Sequence, residues 1–157
     1  MNNVKQMTAY QKTELLLGSY RQLEKGVIDK QTLIEEFEQE GLPESSKSIV
    51  KYSSDIIFDN STDFEKKEEL IESLKSSIKV TKLLLKLIDK ALKEISTDSY
   101  YDIIRLKYFE GLTIEKVAEL IFCEISTVSR NRKRLVTQLS AILFSDEVIK
   151  ELYGLLQ

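Results

Sequence analysis

Histidine is absent from this chain, and cysteine occurs once, at Cys123. Ser-His and Cys-His dyads, HExxH zinc sites and Cys/His zinc clusters are therefore excluded, and with them most nucleophile and metal chemistry. A lone cysteine cannot close an intrachain disulfide. Apolar runs long enough to cross a bilayer are also missing, since Leu83-Leu84-Leu85 is short and lies among lysines. No signal-peptide pattern opens the chain, and these absences together predict a cytoplasmic protein. Proline occurs only at Pro43 and glycine five times, so element breakers are few and an all-α fold is expected. The 157 residues suffice for one compact domain, or for a small domain attached to a helical arm.

Charge is plentiful but uneven. The formal net charge is −3, yet residues 100–144 carry 7 Lys/Arg against 5 Asp/Glu, whereas residues 1–99 carry 15 against 18 and the tail from 145 carries 1 against 3. The central segment alone is net positive, as expected of a part that approaches phosphates.

Apolar positions set out the elements. Leu15, Leu16, Tyr20, Leu23, Val27, Ile28, Leu33, Ile34 and Phe37 recur near a helical period between about Ala9 and Glu40, and Gly26 predicts a break that makes this a helical hairpin. Residues 41–63 hold Gly41, Pro43, several serines and Asp59-Asn60-Ser61-Thr62, the composition of a connection, with Ile56-Ile57-Phe58 available to tack it down. From Phe64 to Ile95 a single long helix is predicted, because Phe64, Ile71, Leu74, Ile78, Leu85, Ile88, Leu92 and Ile95 fall on steps of three and four. Leu70, Leu84, Leu87 and Ala91 widen that stripe toward packing within the chain. The Thr97-Asp98-Ser99 trio is placed to cap a helix Tyr100–Phe109 that Gly111 ends. Asp146 is placed to cap a last short helix with an apolar face of Val148, Ile149, Leu152, Tyr153 and Leu156, which either completes the small domain or pairs two subunits as a homodimer. The domain reading is residues 1–96 as a helical scaffold or partner-binding region and 97–157 as a second domain.

Within that second domain, residues 111–135 read as a helix, a tight turn and a strongly basic helix, the pattern of a helix-turn-helix that reads double-stranded DNA. Counting from Ile114, the fifth residue is Ala118, where two touching helices need a small side chain, and Val128, ten further on, is the apolar anchor of the second helix. Val117, Ile121, Leu135 and Leu139 complete the inner face. Phe122 stands where a glycine usually turns the chain. A non-glycine at positive φ is costly, so a longer turn or burial of the ring is expected to compensate. Asn131 stands where a further apolar residue is common.

The predicted DNA-binding residues are Thr113, Ser126, Thr127, Ser129, Arg130, Arg132, Lys133 and Arg134. Ser126, Thr127, Ser129 and Arg130 occupy the first turns of the second helix, the part that reaches base edges, with Arg130 the foremost choice for readout. Arg132, Lys133 and Arg134 lie further along and are expected to meet phosphates, with Tyr108 and Thr113 adding backbone contacts. The plain alternative is a solvated basic helix in a three-helix core.

Ile104 to Thr113, Val117-Ala118 and Ser126-Thr127-Val128 resemble region 4 of bacterial sigma factors over about forty residues. Most of the chain is similar to the phage-encoded ArpU/RinA-type transcriptional regulators, on Thr13 to Leu17, Leu87 to Leu92, Arg132 to Leu135 and Leu143-Phe144. The resemblance implies regulation of phage or prophage genes together with bacterial RNA polymerase, as a sigma-like subunit or as an upstream activator.

Lys75, Lys79, Lys82, Lys86, Lys90 and Lys93 form a basic stripe on the long helix, read as a solvated outer face or as a contact to DNA or an acidic partner. Cys123 is expected as a buried structural thiol. Glu35, Glu36, Glu38 and Glu40 point around their helix rather than converge, so no metal is assigned. No cofactor is implied, and no acid-base or nucleophile set converges, so no catalysis is expected. The rival reading is an oligomeric phage DNA-packaging or structural protein with a helix-turn-helix, similar to a small terminase subunit.

Overall fold

The structure is a computed structural model that describes residues 7–40, 63–146, 149 and 154. Among these residues every regular element is a helix, as the scarcity of breakers predicts. Helix α1 spans Ala9–Glu40, α2 Asp63–Ile95 and α3 Asp102–Ile104; a π-helical turn, Arg105–Phe109, continues α3; α4 spans Ile114–Leu120 and α5 Ile125–Leu143. The connection up to residue 62, with its Ile56-Ile57-Phe58 patch, lies outside the described residues. So do Val148, Leu152, Tyr153 and Leu156 of the expected last helix.

α1 begins on a reciprocal cap. The Gln11 backbone N–H donates to Thr8 Oγ1 at 3.2 Å, and the Thr8 N–H donates to Gln11 Oε1 at 3.0 Å. The helix then runs unbroken through Gly26, so the predicted hairpin is corrected to one helix. A glycine inside a helix costs only about 1 kcal/mol relative to alanine. Burying one large apolar side chain contributes roughly 1.5–3 kcal/mol, and Leu17, Val27, Ile34 and Phe37 are all buried along the continuous helix.

The Asp63–Ile95 helix matches its prediction. Ile71, Ile78, Leu87, Ile88, Ala91, Leu92 and Ile95 are buried, while Phe64 at the first turn is exposed. Asp63 and Glu65 in the first turn and Lys93 in the last complement the helix dipole. None of the described helices is long and apolar enough to cross a membrane.

Two compact units divide the chain. One draws on residues up to Glu24 and from Leu83 onward; the other is Lys25–Lys82. The grouping crosses the expected 96/97 boundary, because the start of α1 and the end of α2 share a core with the C-terminal helices. In the Lys25–Lys82 unit, Val27, Ile34, Phe37, Ile71 and Ile78 are buried, and Lys30 Nζ donates to Ser77 Oγ at 2.6 Å.

In the other unit Leu17 joins Ile88, Ala91, Leu92 and Ile95 of α2, Ile104, and Leu135, Val136, Leu139 and Leu143 of α5 in one cluster. Polar bonds fasten its rim: Tyr20 Oη donates to Asp89 Oδ1 and Tyr108 Oη to Glu14 Oε1, both at 2.6 Å. The Tyr20 and Phe109 rings lie 5.0 Å apart. A second cluster of Ile103, Leu106, Val117, Ala118 and Val128 holds α3, α4 and α5 together.

The expected regular helix Tyr100–Phe109 is corrected. Asp98 Oδ1 accepts from the Tyr100 N–H at 2.9 Å and its carbonyl accepts from the Tyr101 N–H at 3.0 Å, so Asp98 makes a turn and the helix starts only at Asp102. The α3 segment serves both clusters, Ile104 in the first and Ile103 and Leu106 in the second. It ends as expected at Gly111, whose φ is +68°.

Candidate nucleic-acid interface

Thr113 caps α4 as its sequence predicts: its backbone is extended and its Oγ1 accepts from the Lys116 N–H at 3.3 Å. Val117 and Ala118 are buried against Val128, which is fully buried. The inner face drawn from spacing is thus in place, and it fixes α5 against α4 across the turn Ile121–Glu124.

That turn closes α4 by a pair of C-terminal bonds. The Cys123 N–H donates to the Ala118 carbonyl at 3.0 Å and the Phe122 N–H to the Glu119 carbonyl at 3.4 Å, with Phe122 in the left-handed region at φ 54°. This is the Schellman arrangement, in which the left-handed residue is usually glycine. The expected burial of the Phe122 ring is not found: the residue is 94% exposed. Among the described residues, no packing of the ring offsets its backbone conformation. Cys123, expected buried, is half-buried at the edge of the second cluster. Exposed Ile125 and Leu120 lie close in sequence on either side of Phe122.

Along α5 two lines of residues run at steps of four, three and four. The inner line is Val128, Arg132, Leu135 and Leu139; the outer is Ser126, Arg130, Lys133 and Thr137, all four exposed. The four cations expected to face DNA are divided between different environments. Arg130 and Lys133 project from the outer line, and among the described residues neither side chain has an ion-pair or hydrogen-bond partner.

Arg132 departs from its expected phosphate-facing role. It follows Val128 by one turn on the inner line, is half-buried, and its Nε is enclosed with no hydrogen-bond partner among the described residues. Its positive charge acts on the phenols of Tyr10 and Tyr108. Burial raises the Tyr108 hydroxyl above its ordinary range, the Glu14 carboxylate adds to that rise, and Arg132 opposes it. Tyr108 itself, expected at a DNA backbone, donates its proton to Glu14 instead.

Arg134 departs as well. Its Nη1 donates to Asp98 Oδ2 at 2.7 Å and its Nη2 to Asp98 Oδ1 at 2.9 Å. Asn131 Oδ1 accepts from the same guanidinium, at 3.1 Å from both Nε and Nη2, while Asn131 Nδ2 donates to the Thr127 carbonyl at 3.0 Å. This explains the polar residue at position 131: it links the guanidinium to the helix backbone. The Arg134 hydrogen bonds, helped by the Tyr100 N–H, hold the Asp98 carboxyl below its ordinary value. Arg134 is thus a fork that ties α5 to the turn before α3.

The remaining expected contacts are distributed as follows. Thr113 and Ser126 are exposed, and Thr127 and Ser129 are half-buried. Spacing alone places Thr137 on the outer line, where it extends the exposed face beyond the expected set; Ile125 is exposed at the first turn, but its spacing puts it on the line of Ser129, Arg132 and Val136. Thr137 Oγ1 donates to the Lys133 carbonyl at 2.7 Å. The lysines at 75, 79, 82, 86, 90 and 93 are all exposed, with Lys75 3.8 Å from Glu72.

Compared with protein-family models, with curated proteins and with solved structures, the chain matches none.

Proposed function

We infer that this chain is a sequence-specific, double-stranded-DNA-binding transcriptional regulator that performs no catalysis. The observation that carries the reading is the outer line of α5. Arg130 and Lys133 stand exposed beside Ser126, without a side-chain partner among the described residues, on a helix locked from behind by Val128, Leu135 and Leu139. A net charge of −3 gives the chain no general attraction to polyanions, so affinity rests on where cations are displayed.

In this mechanism the first turns of α5 enter the major groove. Arg130 offers a planar fork of donors that matches guanine O6 and N7. Lys133, one turn on, meets a phosphate as a point charge and supplies salt-dependent affinity without base information. Ser126 and Ser129 make adaptable hydrogen bonds to base edges, and Thr113 at the start of α4 reaches the backbone. Arg132 and Arg134 keep α5 in place rather than touch nucleotides. The resemblance to sigma region 4 and to ArpU/RinA-type regulators supplies the setting: phage or prophage genes, read together with bacterial RNA polymerase, in the cytoplasm.

Selection of bound duplexes from a random library by the full chain tests this reading. A shared sequence containing a guanine needed by Arg130 is expected, with affinity that falls steeply as salt rises. Equal retention of all sequences would contradict it.

A further inference from the structure

Helix α5 is held to its unit mainly by buried apolar side chains, Val128, Leu135, Val136, Leu139 and Leu143. Apolar burial is non-directional, so such a seam specifies the helix's rotation about its own axis less sharply than directional bonds do. Base readout by Arg130 needs that rotation fixed, because a turn of about 10° moves a side-chain tip roughly 1 Å, enough to misplace a recognition group. Two polar side chains add direction. One is Arg134, forked to Asp98 at the rim. The other is Arg132, two residues after Arg130 and so nearly opposite it around the helix. Stability alone does not account for an arginine there, since an apolar chain would serve the seam as well.

An acid from the first helix lies at the same place. Glu14 of α1, half-buried like Arg132, accepts from Tyr108 Oη at 2.6 Å. Its charge and that of Arg132 act with opposite sign on the same two phenols, those of Tyr10 and Tyr108. We propose that Glu14 and Arg132 together set the rotation of α5, which makes Glu14 a positioning residue for base readout although it touches no nucleotide. This rests on the DNA-binding reading and adds to it the element that aims Arg130. The carboxylate, pinned by Tyr108, attracts the guanidinium on one side of α5 and so opposes movement of Arg130 on the other.

The test measures, for the full chain, the ratio of its affinities for the selected duplex and for one altered at the guanine that Arg130 reads. Partial unfolding lowers both affinities alike and cancels in the ratio, so a merely structural role does not move it. Glu14→Gln keeps an oxygen to accept from Tyr108 and removes one charge; Arg132→Met removes the other. Each is expected to reduce the ratio about fivefold, and the double variant also about fivefold rather than about 25-fold, because all three remove one and the same interaction. The slope of affinity against salt should stay as in the wild type, since neither residue meets a phosphate.

An unchanged ratio in either single variant would overturn this inference and leave the DNA-binding reading standing. So would losses that multiply in the double variant, which would give the two residues independent effects. Failure of the wild-type chain to select any sequence would overturn the DNA-binding reading and this inference with it.

Discussion

Arg130 and Arg132 are two residues apart on one helix and meet opposite environments. The first stands on the outer line with Ser126, Lys133 and Thr137; the second lies on the inner line between Val128 and Leu135, its Nε enclosed. The four basic residues of α5 thus fall into a pair on the outer line, Arg130 and Lys133, and a pair committed to the fold, Arg132 by its place on the inner line and Arg134 by its fork to Asp98. A run of cations counts charge without direction, and helical spacing decides which of it is available.

The largest contrast between the faces is in stability. Leu139→Ala, at a fully buried position, should cost about 2–5 kcal/mol in urea unfolding, whereas Thr137→Ala on the outer line should stay within about 0.5 kcal/mol. Comparable costs would erase the distinction between the lines.

Next in size is base discrimination. Arg130→Ala should lose roughly 1–3 kcal/mol of preference for the selected duplex over one altered at its guanine, with little change in melting temperature. Competition binding would reveal an unchanged preference if Arg130 does not read bases.

Salt dependence separates the cations themselves. Lys133→Ala should weaken binding evenly across sequences and reduce the slope of log K against log salt by about 0.9, the weight of one phosphate contact. Arg132→Met should leave that slope unchanged and keep or raise stability, since it replaces a half-buried side chain whose Nε is enclosed and unsatisfied among the described residues by an unbranched apolar one. A reduced slope in Arg132→Met would move that residue to the outer face.

The smallest effect belongs to the Asp98–Arg134 pair, whose partners are 23% and 41% exposed as side chains. Asp98→Asn should cost at most about 1 kcal/mol. The Asp98 carboxyl is held below its ordinary value of 3.8 by Arg134, so the pair's contribution is fully present above that pH and is lost as pH falls from 3.8 through the depressed value. Urea midpoints of wild type and Asp98→Asn should therefore converge in acid; a constant difference would mean that the pair contributes no titrating stability.

Much of this architecture is legible from spacing. The α2 seam repeats over many turns, and Ala118 and Val128 mark the contact of α4 with α5, so both follow from periodicity. Arg132 is legible in the same way, one turn after Val128 and three residues before Leu135, once position is weighed ahead of charge. Gly26 misleads because a breaker's local cost is visible in sequence, while the burial of Leu17, Val27, Ile34 and Phe37 that exceeds it depends on tertiary packing. The Asp98–Arg134 pair spans 36 residues, and no local rule joins them. Phe122 shows a positive-φ position held by a non-glycine, but whether its ring is buried depends on what packs around the turn.

The central claim is that the outer line of α5 reads a guanine through Arg130. Binding of the full chain to its selected duplex, with each guanine replaced in turn by 7-deazaguanine, tests it most directly. One replacement should weaken the wild-type chain strongly and leave Arg130→Ala unaffected; equal losses in both proteins at every guanine would contradict the account.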